Sequence, residues 1–186
     1  TSRRFVLLGW SMGGLLAQYI AATYPQDVAR LVLVAATPCF TNRNDWHAGV
    51  AGATLARFGG ELLADYQATL SRFLALQFFG ADEQRDNLRR ARELVFARPA
   101  PKSATLQEGL ELLEQSDLRE QSGSITCPAL LLNGERDTLV PSATARYLAE
   151  RLPGGRAVIL KGAGHAPFLS HAQLFNQHLQ RFLSND

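Results

Sequence analysis

The sequence predicts an α/β fold, a parallel sheet interrupted by a helical insertion, and three observations carry that prediction. Four short apolar runs, at residues 5–8, 31–35, 129–132 and 157–160, are continuous rather than alternating, the pattern of strands buried on both faces of a parallel sheet. Helical patterns separate them in the alternation that right-handed crossovers produce. Between the second and third runs, residues 38–127 carry helix signals and no strand signal.

The first run, Phe5-Val6-Leu7-Leu8, leads into Gly9-Trp10-Ser11-Met12-Gly13-Gly14. A serine flanked by glycines two residues away on either side is the pattern of a nucleophile elbow, a sharp turn from strand to helix that needs little side-chain bulk around it. Alone, G-x-S-x-G also fits an ordinary glycine-serine turn. The required context is a strand before and a helix after, and both are predicted: Leu15, Leu16, Tyr19 and Ile20 recur at helical spacing, Ala17, Ala21 and Ala22 favour helix, and Pro25 closes it. The helix start would aim unpaired N–H groups and its positive dipole end at the serine.

The insertion reads as helices. Leu62, Leu63, Tyr66, Leu70, Phe73, Leu74 and Gln77 form a broad apolar stripe, residues 82–97 a second helix, and residues 103–115 a third with Leu106, Leu110 and Leu113 on one side. Gly59-Gly60, Gly80 and Pro99-Ala100-Pro101 punctuate the joints. An all-helical insertion on the nucleophile's side of a sheet is expected to cap the site, giving a core of residues 1–37 and 128–186 and a cap of 38–127. Beyond the third strand, residues 141–152 open on a proline and form a helix. The last helix, 172–183, carries a capping signature in Ser170 and Gln173.

With 46% hydrophobic and 19% charged residues, the 186-residue chain can bury one sizeable core. A net charge of +2 is too mild for a surface that binds nucleic acid throughout. No apolar run approaches the length of a membrane span. Cys39 and Cys127 fit neither a metal-ligand spacing nor a disulfide framework, which suits a reducing compartment. The sequence begins at Thr1, a few residues before a strand of the type that lies mid-sheet, and so is expected to be the C-terminal part of a longer protein.

A serine hydroxyl becomes a nucleophile when a base takes its proton, and an acid must hold that base in one tautomer. The elbow's usual chain order is serine, acid, histidine. Asp137, beyond the third strand, and His165, in the glycine-rich loop after the fourth, supply it, both at the carboxyl ends of parallel strands where such sheets bind ligands. Glu135 is the rival acid. His47, His171 and His178 suit surface or packing roles. No metal or organic cofactor is called for.

Gly9-Trp10-Ser11-Met12-Gly13-Gly14, Ala36-Thr37-Pro38-Cys39-Phe40, Arg72-Phe73-Leu74-Ala75-Leu76-Gln77 and Gly164-His165-Ala166-Pro167-Phe168 together resemble the BioH-type pimeloyl-acyl carrier protein methyl ester esterases of the α/β-hydrolase superfamily. The resemblance covers essentially the whole chain. It implies the C-terminal part of an α/β-hydrolase fold, a triad of Ser11, Asp137 and His165, and an oxyanion donor in the Met12 N–H. It further implies substrate contacts from Trp10 and from Phe73, Leu74, Ala75, Leu76 and Gln77 along an acyl channel. Arg72, Arg85 and Arg89 stand where the family has arginines that dock the acidic acyl carrier protein, while Ala68 stands where another would be expected. On the bare sequence, Arg85, Arg89 and Arg92 form a solvated helix face, with Asp86 and Glu93 close enough to pair with Arg89 or Arg90. The expected enzyme is a monomeric cytoplasmic carboxylester hydrolase of biotin biosynthesis. Alternatives on the same fold are a thioesterase, a lactonase, a carbon–carbon hydrolase or a non-catalytic binding protein. Family members begin with several strands and a His-Gly loop that supplies a second oxyanion donor. Losing one donor costs about a hundredfold or more in rate, so this stretch alone is expected to be poorly active.

Overall fold

A computed structural model describes residues 4–77 and 84–184. Four strands, β1 (Phe5–Trp10), β2 (Val28–Val34), β3 (Ala129–Gly134) and β4 (Arg156–Leu160), pair in sequence order, all parallel. Their alternating faces explain why β2 and β3 are apolar throughout. Leu31, Leu33, Ala129 and Leu131 pack on one side with α1 (Met12–Thr23) and α6 (Ser142–Ala149). Val32, Val34, Leu130 and Leu132 pack on the other with Phe175 of α8 (Ala172–Ser184). In an open four-stranded sheet β1 is an edge strand, and Phe5, Val6 and Leu8 are each nearly half exposed.

Between β2 and β3 the described residues are helical, as expected, only from Gly52 onward. Residues 38–50, expected to belong to the same helical insertion, form a loop held by isolated bridges of Thr41 with Val50, Arg43 with Trp46 and Cys39 with Asp117. The helices also divide differently. Instead of one stripe through residues 62–77 there are two helices, α2 (Gly52–Ala64) and α3 (Tyr66–Gln77). They break at Asp65, whose carboxylate accepts the Ala68 N–H (3.0 Å) as an N-cap. Gly59 and Gly60 lie inside α2 rather than at a joint. A Cβ on Gly59 would stand 2.9 Å from Leu110 of α5 (Ser103–Gln115), so this glycine is a point of close helix approach. The helix expected over residues 82–97 is α4 (Gln84–Phe96); Gly80 and the first two expected residues lie outside the described segments.

Arg119 secures the loop that leads from β2 into this region. Its guanidinium bonds both Asp117 (2.6 and 2.8 Å) and Asp45 (2.9 Å) and lies over the Trp46 ring, whose indole N–H donates to the Cys39 carbonyl. Cys39 and Cys127 are free, buried thiols, and burial raises the pKa of both. The capping signature before α8 is not formed. Ser170 closes a short helix, α7 (Pro167–Ser170), with its hydroxyl bonded back to the Ala166 carbonyl.

Candidate active site

The sheet delivers Ser11 at the end of β1, and its N–H still bonds Val34 of β2 (2.9 Å). Ser11 has φ 54° and ψ −124°, a left-handed conformation that a residue with a Cβ adopts at a cost of about 1–3 kcal/mol. The elbow tolerates little bulk, though not at both expected glycines. A Cβ on Gly9 would stand 2.3 Å from the Gly13 carbonyl oxygen, and one on Gly14 would stand 2.3 Å from the Ala36 Cβ. Gly13 faces open space. The tight pair is therefore Gly9 and Gly14, where the turn and its helix meet the neighbouring backbone. The Gly14 and Leu15 N–H groups bond the Ser11 carbonyl, whereas the Met12 N–H has no acceptor among the described residues.

The loop after β3 brings the acid. Asp137 has a fully buried side chain. Its Oδ1 accepts the Leu139 and Val140 N–H groups (2.9 Å each), leaving Oδ2 for the His165 Nδ1 (2.8 Å). The His165 Nε2 lies 2.8 Å from the Ser11 Oγ. With Nδ1–H donating to the carboxylate, Nε2 is free to accept the serine proton. Glu135, the rival acid, is exposed and accepts the Gly162 N–H instead, tying the two loops together. Gly134 permits that approach, since a Cβ there would stand 2.1 Å from the Gly164 carbonyl. The remaining histidines stay away: His47 is exposed, His171 bonds Ser170, and His178 of α8 is held below its ordinary pKa by desolvation and by Arg156 and Arg181.

Ser11 opens into a cavity of about 470 Å³ between the sheet and the helices above it, walled by apolar groups that include Phe40, Phe58, Phe73, Leu76, Leu113 and Leu139. Of the expected contacts, Phe73 and Leu76 line it. Leu74, Ala75 and Gln77 do not, because at about 100° per residue only the face of α3 that carries Thr69, Arg72, Phe73 and Leu76 turns inward. Leu74 and Gln77 are buried, and Gln77 packs against Gly164. Trp10 is a bracket rather than a wall. Its indole N–H donates to the His165 carbonyl (2.9 Å), and its ring packs against His165 and Phe168.

Sequence reasoning missed Phe58 and Leu139, and took Leu113 only as part of a helix face. The helical repeat of Thr54, Phe58 and Glu61 was the available signal for α2. The three expected docking arginines have unequal surroundings. Arg72 sits at the cavity mouth in an ion pair with Glu61 (2.9 Å), Arg89 pairs with Asp86 and Glu93, and Arg85 is exposed without an ion pair among the described residues.

An open parallel sheet with a strained serine at a strand-to-helix turn, a histidine and a buried aspartate defines a class, and comparison with known proteins agrees with it. Residues 2–172 match the family described as alpha/beta hydrolase fold, and the chain belongs to that family. Among solved structures, an esterase from Exiguobacterium antarcticum superposes with a TM-score of 0.89 at 24% identity, covering 98% of this chain and 68% of that one. A bromoperoxidase from Bacillus anthracis does so with a TM-score of 0.84 at 26% identity, covering 99% and 68%. These different names on one fold leave the substrate to the site. Sequence relatives narrow it. A pimeloyl-[acyl-carrier protein] methyl ester esterase of Aeromonas hydrophila is 42% identical over 95% of this chain and 69% of its own length. One of Xanthomonas axonopodis pv. citri is 45% identical over 97% and 71%. Within the class, the chain belongs with these BioH-type esterases.

Proposed function

We propose that this protein is a serine carboxylester hydrolase that cleaves the methyl ester of a pimeloyl chain carried on acyl carrier protein. The observation that carries the chemistry is the line from Asp137 through His165 to Ser11, with both hydrogen bonds at 2.8 Å, at the floor of an apolar cavity. The substrate follows from the relatives' names.

His165 takes the Ser11 proton as the oxygen attacks the ester carbonyl, and Asp137 stabilises the imidazolium that forms. The negative charge on the carbonyl oxygen develops beside the Met12 N–H and the start of α1. As the carbon–methoxy bond breaks, His165 gives its proton to the departing methoxide, which leaves as methanol with the acyl group on Ser11. A water, deprotonated by the same imidazole, releases the free carboxylate. Phe73 and Leu76 help to hold the methylene chain. Carrier docking by Arg72, Arg85 and Arg89 belongs to the same proposal, with Arg85 the most available because Arg72 and Arg89 have acidic neighbours to exchange.

Replacing Ser11 with Ala tests the proposal. Hydrolysis of dimethyl pimelate and of short p-nitrophenyl esters should fall to background, with circular dichroism unchanged. Turnover retained in the variant would refute the assignment.

A further inference from the structure

The cavity is lined by apolar side chains together with Ser11, Thr54 and Thr69, and three exposed charged side chains stand at its mouth: Arg57 and Glu61 of α2 and Arg72 of α3. Glu61 stands four residues after Arg57, within helical reach, yet gives its carboxylate to Arg72 across the gap (2.9 Å). The Arg72 guanidinium is also held by the Thr69 hydroxyl (3.0 Å). Arginine four residues before glutamate is the weaker order for a pair on one helix, which agrees with Glu61 choosing Arg72. Arg57 is left with neither a hydrogen bond nor an ion pair among the described residues. The mouth therefore carries one positive charge in excess, on the exposed Arg57 side chain at the rim of an otherwise largely apolar cavity.

We propose that Arg57 forms an anion subsite at the cavity mouth and selects acyl substrates whose far end bears a carboxylate or a phosphate. The inference rests on the esterase reading for the orientation of the substrate, with the ester at Ser11 and the far end at the mouth. It assigns the task to a residue outside the docking arginines. Arg72, neutralised by Glu61, serves as the positioned wall beside it.

Binding to the Ser11→Ala protein isolates the subsite from catalysis. Calorimetry would compare methyl hydrogen pimelate, whose far end is anionic, with neutral dimethyl pimelate, and then with monomethyl pimelate amidated by phosphoethanolamine. The anionic ligands should bind about three- to tenfold more tightly than the neutral diester. That margin should disappear with Arg57→Gln, persist with Arg57→Lys and reverse with Arg57→Glu, while dimethyl pimelate binds all four proteins alike. A larger margin for the phosphate assigns the subsite to a phosphorylated tail, and a larger margin for the carboxylate assigns it to a free acid. No margin in the parent protein, or an equal loss for charged and neutral ligands in Arg57→Gln, overturns the proposal. Hydrolysis of the same esters with Ser11 in place reports separately on the esterase reading. An intact margin without turnover would sink that reading and leave the subsite standing.

Discussion

Asp137 has one oxygen for structure and one for chemistry. Oδ1 satisfies two backbone N–H groups of its own loop, and Oδ2 is reserved for the imidazole. Asparagine in its place can keep the loop but presents an amide where an acceptor is needed, so the histidine loses its enforced tautomer. Asp137→Asn is expected to lower kcat by about 10³–10⁴ with little change in melting temperature. Asp137→Ala should lower both, because the buried Val140 N–H loses its acceptor at about 1–3 kcal/mol and the half-buried Leu139 N–H loses the same partner. Steady-state kinetics beside thermal denaturation separates the two effects, and equal stability of the two variants would contradict this division of labour. At this scale the serine, the histidine and the acid were legible in the sequence, because their chemistry demands those residue types in that chain order. Asp137 was also preferred there, with Glu135 as the rival, but the physical reason, which carboxylate the loop turns inward, is visible only in the fold.

The elbow joins β1 to α1 through two points of contact, Gly9 against the Gly13 backbone and Gly14 against Ala36. Gly9→Ala and Gly14→Ala should each destabilise by about 1–3 kcal/mol or more, because backbone and a buried methyl cannot yield. In a chain of this size that is about 2–4 °C of melting temperature for every kcal/mol. Gly13→Ala, in open space on a helix, should be neutral or stabilising by up to about 1 kcal/mol. A loss at Gly13 matching that at Gly14 would show that the elbow's tight contacts lie elsewhere. The strands and the helices of the core were readable from apolar runs and helical period. The boundary between α2 and α3 was not: apolar residues continue across it, and the break is made by one aspartate cap. Gly59 misled for a related reason, since a glycine that lets two helices touch looks in sequence like one that ends a helix.

Across the whole molecule, the segment after β2 is fastened to the segment after α5 by Arg119 between Asp117 and Asp45. Hydrogen bonds from Arg119 hold the Asp117 carboxyl below its ordinary value of 3.8. A carboxylate whose folded pKa lies below its unfolded one stabilises fully above about pH 4, and that contribution is lost as pH falls through the lowered value. Asp117→Asn should therefore melt lower than the parent at pH 7, and the gap should narrow as the pH is taken below 4. A gap of constant size from pH 7 to pH 3 would exclude the ion pair as its source. Nothing in the sequence joined Asp45, Asp117 and Arg119, because their partnership exists only once the chain has folded back on itself. The cavity was partly hidden for the same reason: Phe40, Phe58, Leu113 and Leu139 belong to four separate stretches that meet over Ser11.

Trp10, adjoining the serine in sequence and hydrogen-bonded to the histidine's own carbonyl, also gives the site an optical signal. Its ring lies 5.7 Å from the imidazole, close enough for its emission to sense a change in the surroundings of that ring. The only other indole is that of Trp46, among the Arg119 contacts. With phenylalanine at position 46, the emission of that one fluorophore would report events beside Ser11, the arrival of a ligand among them, without turnover and without a label.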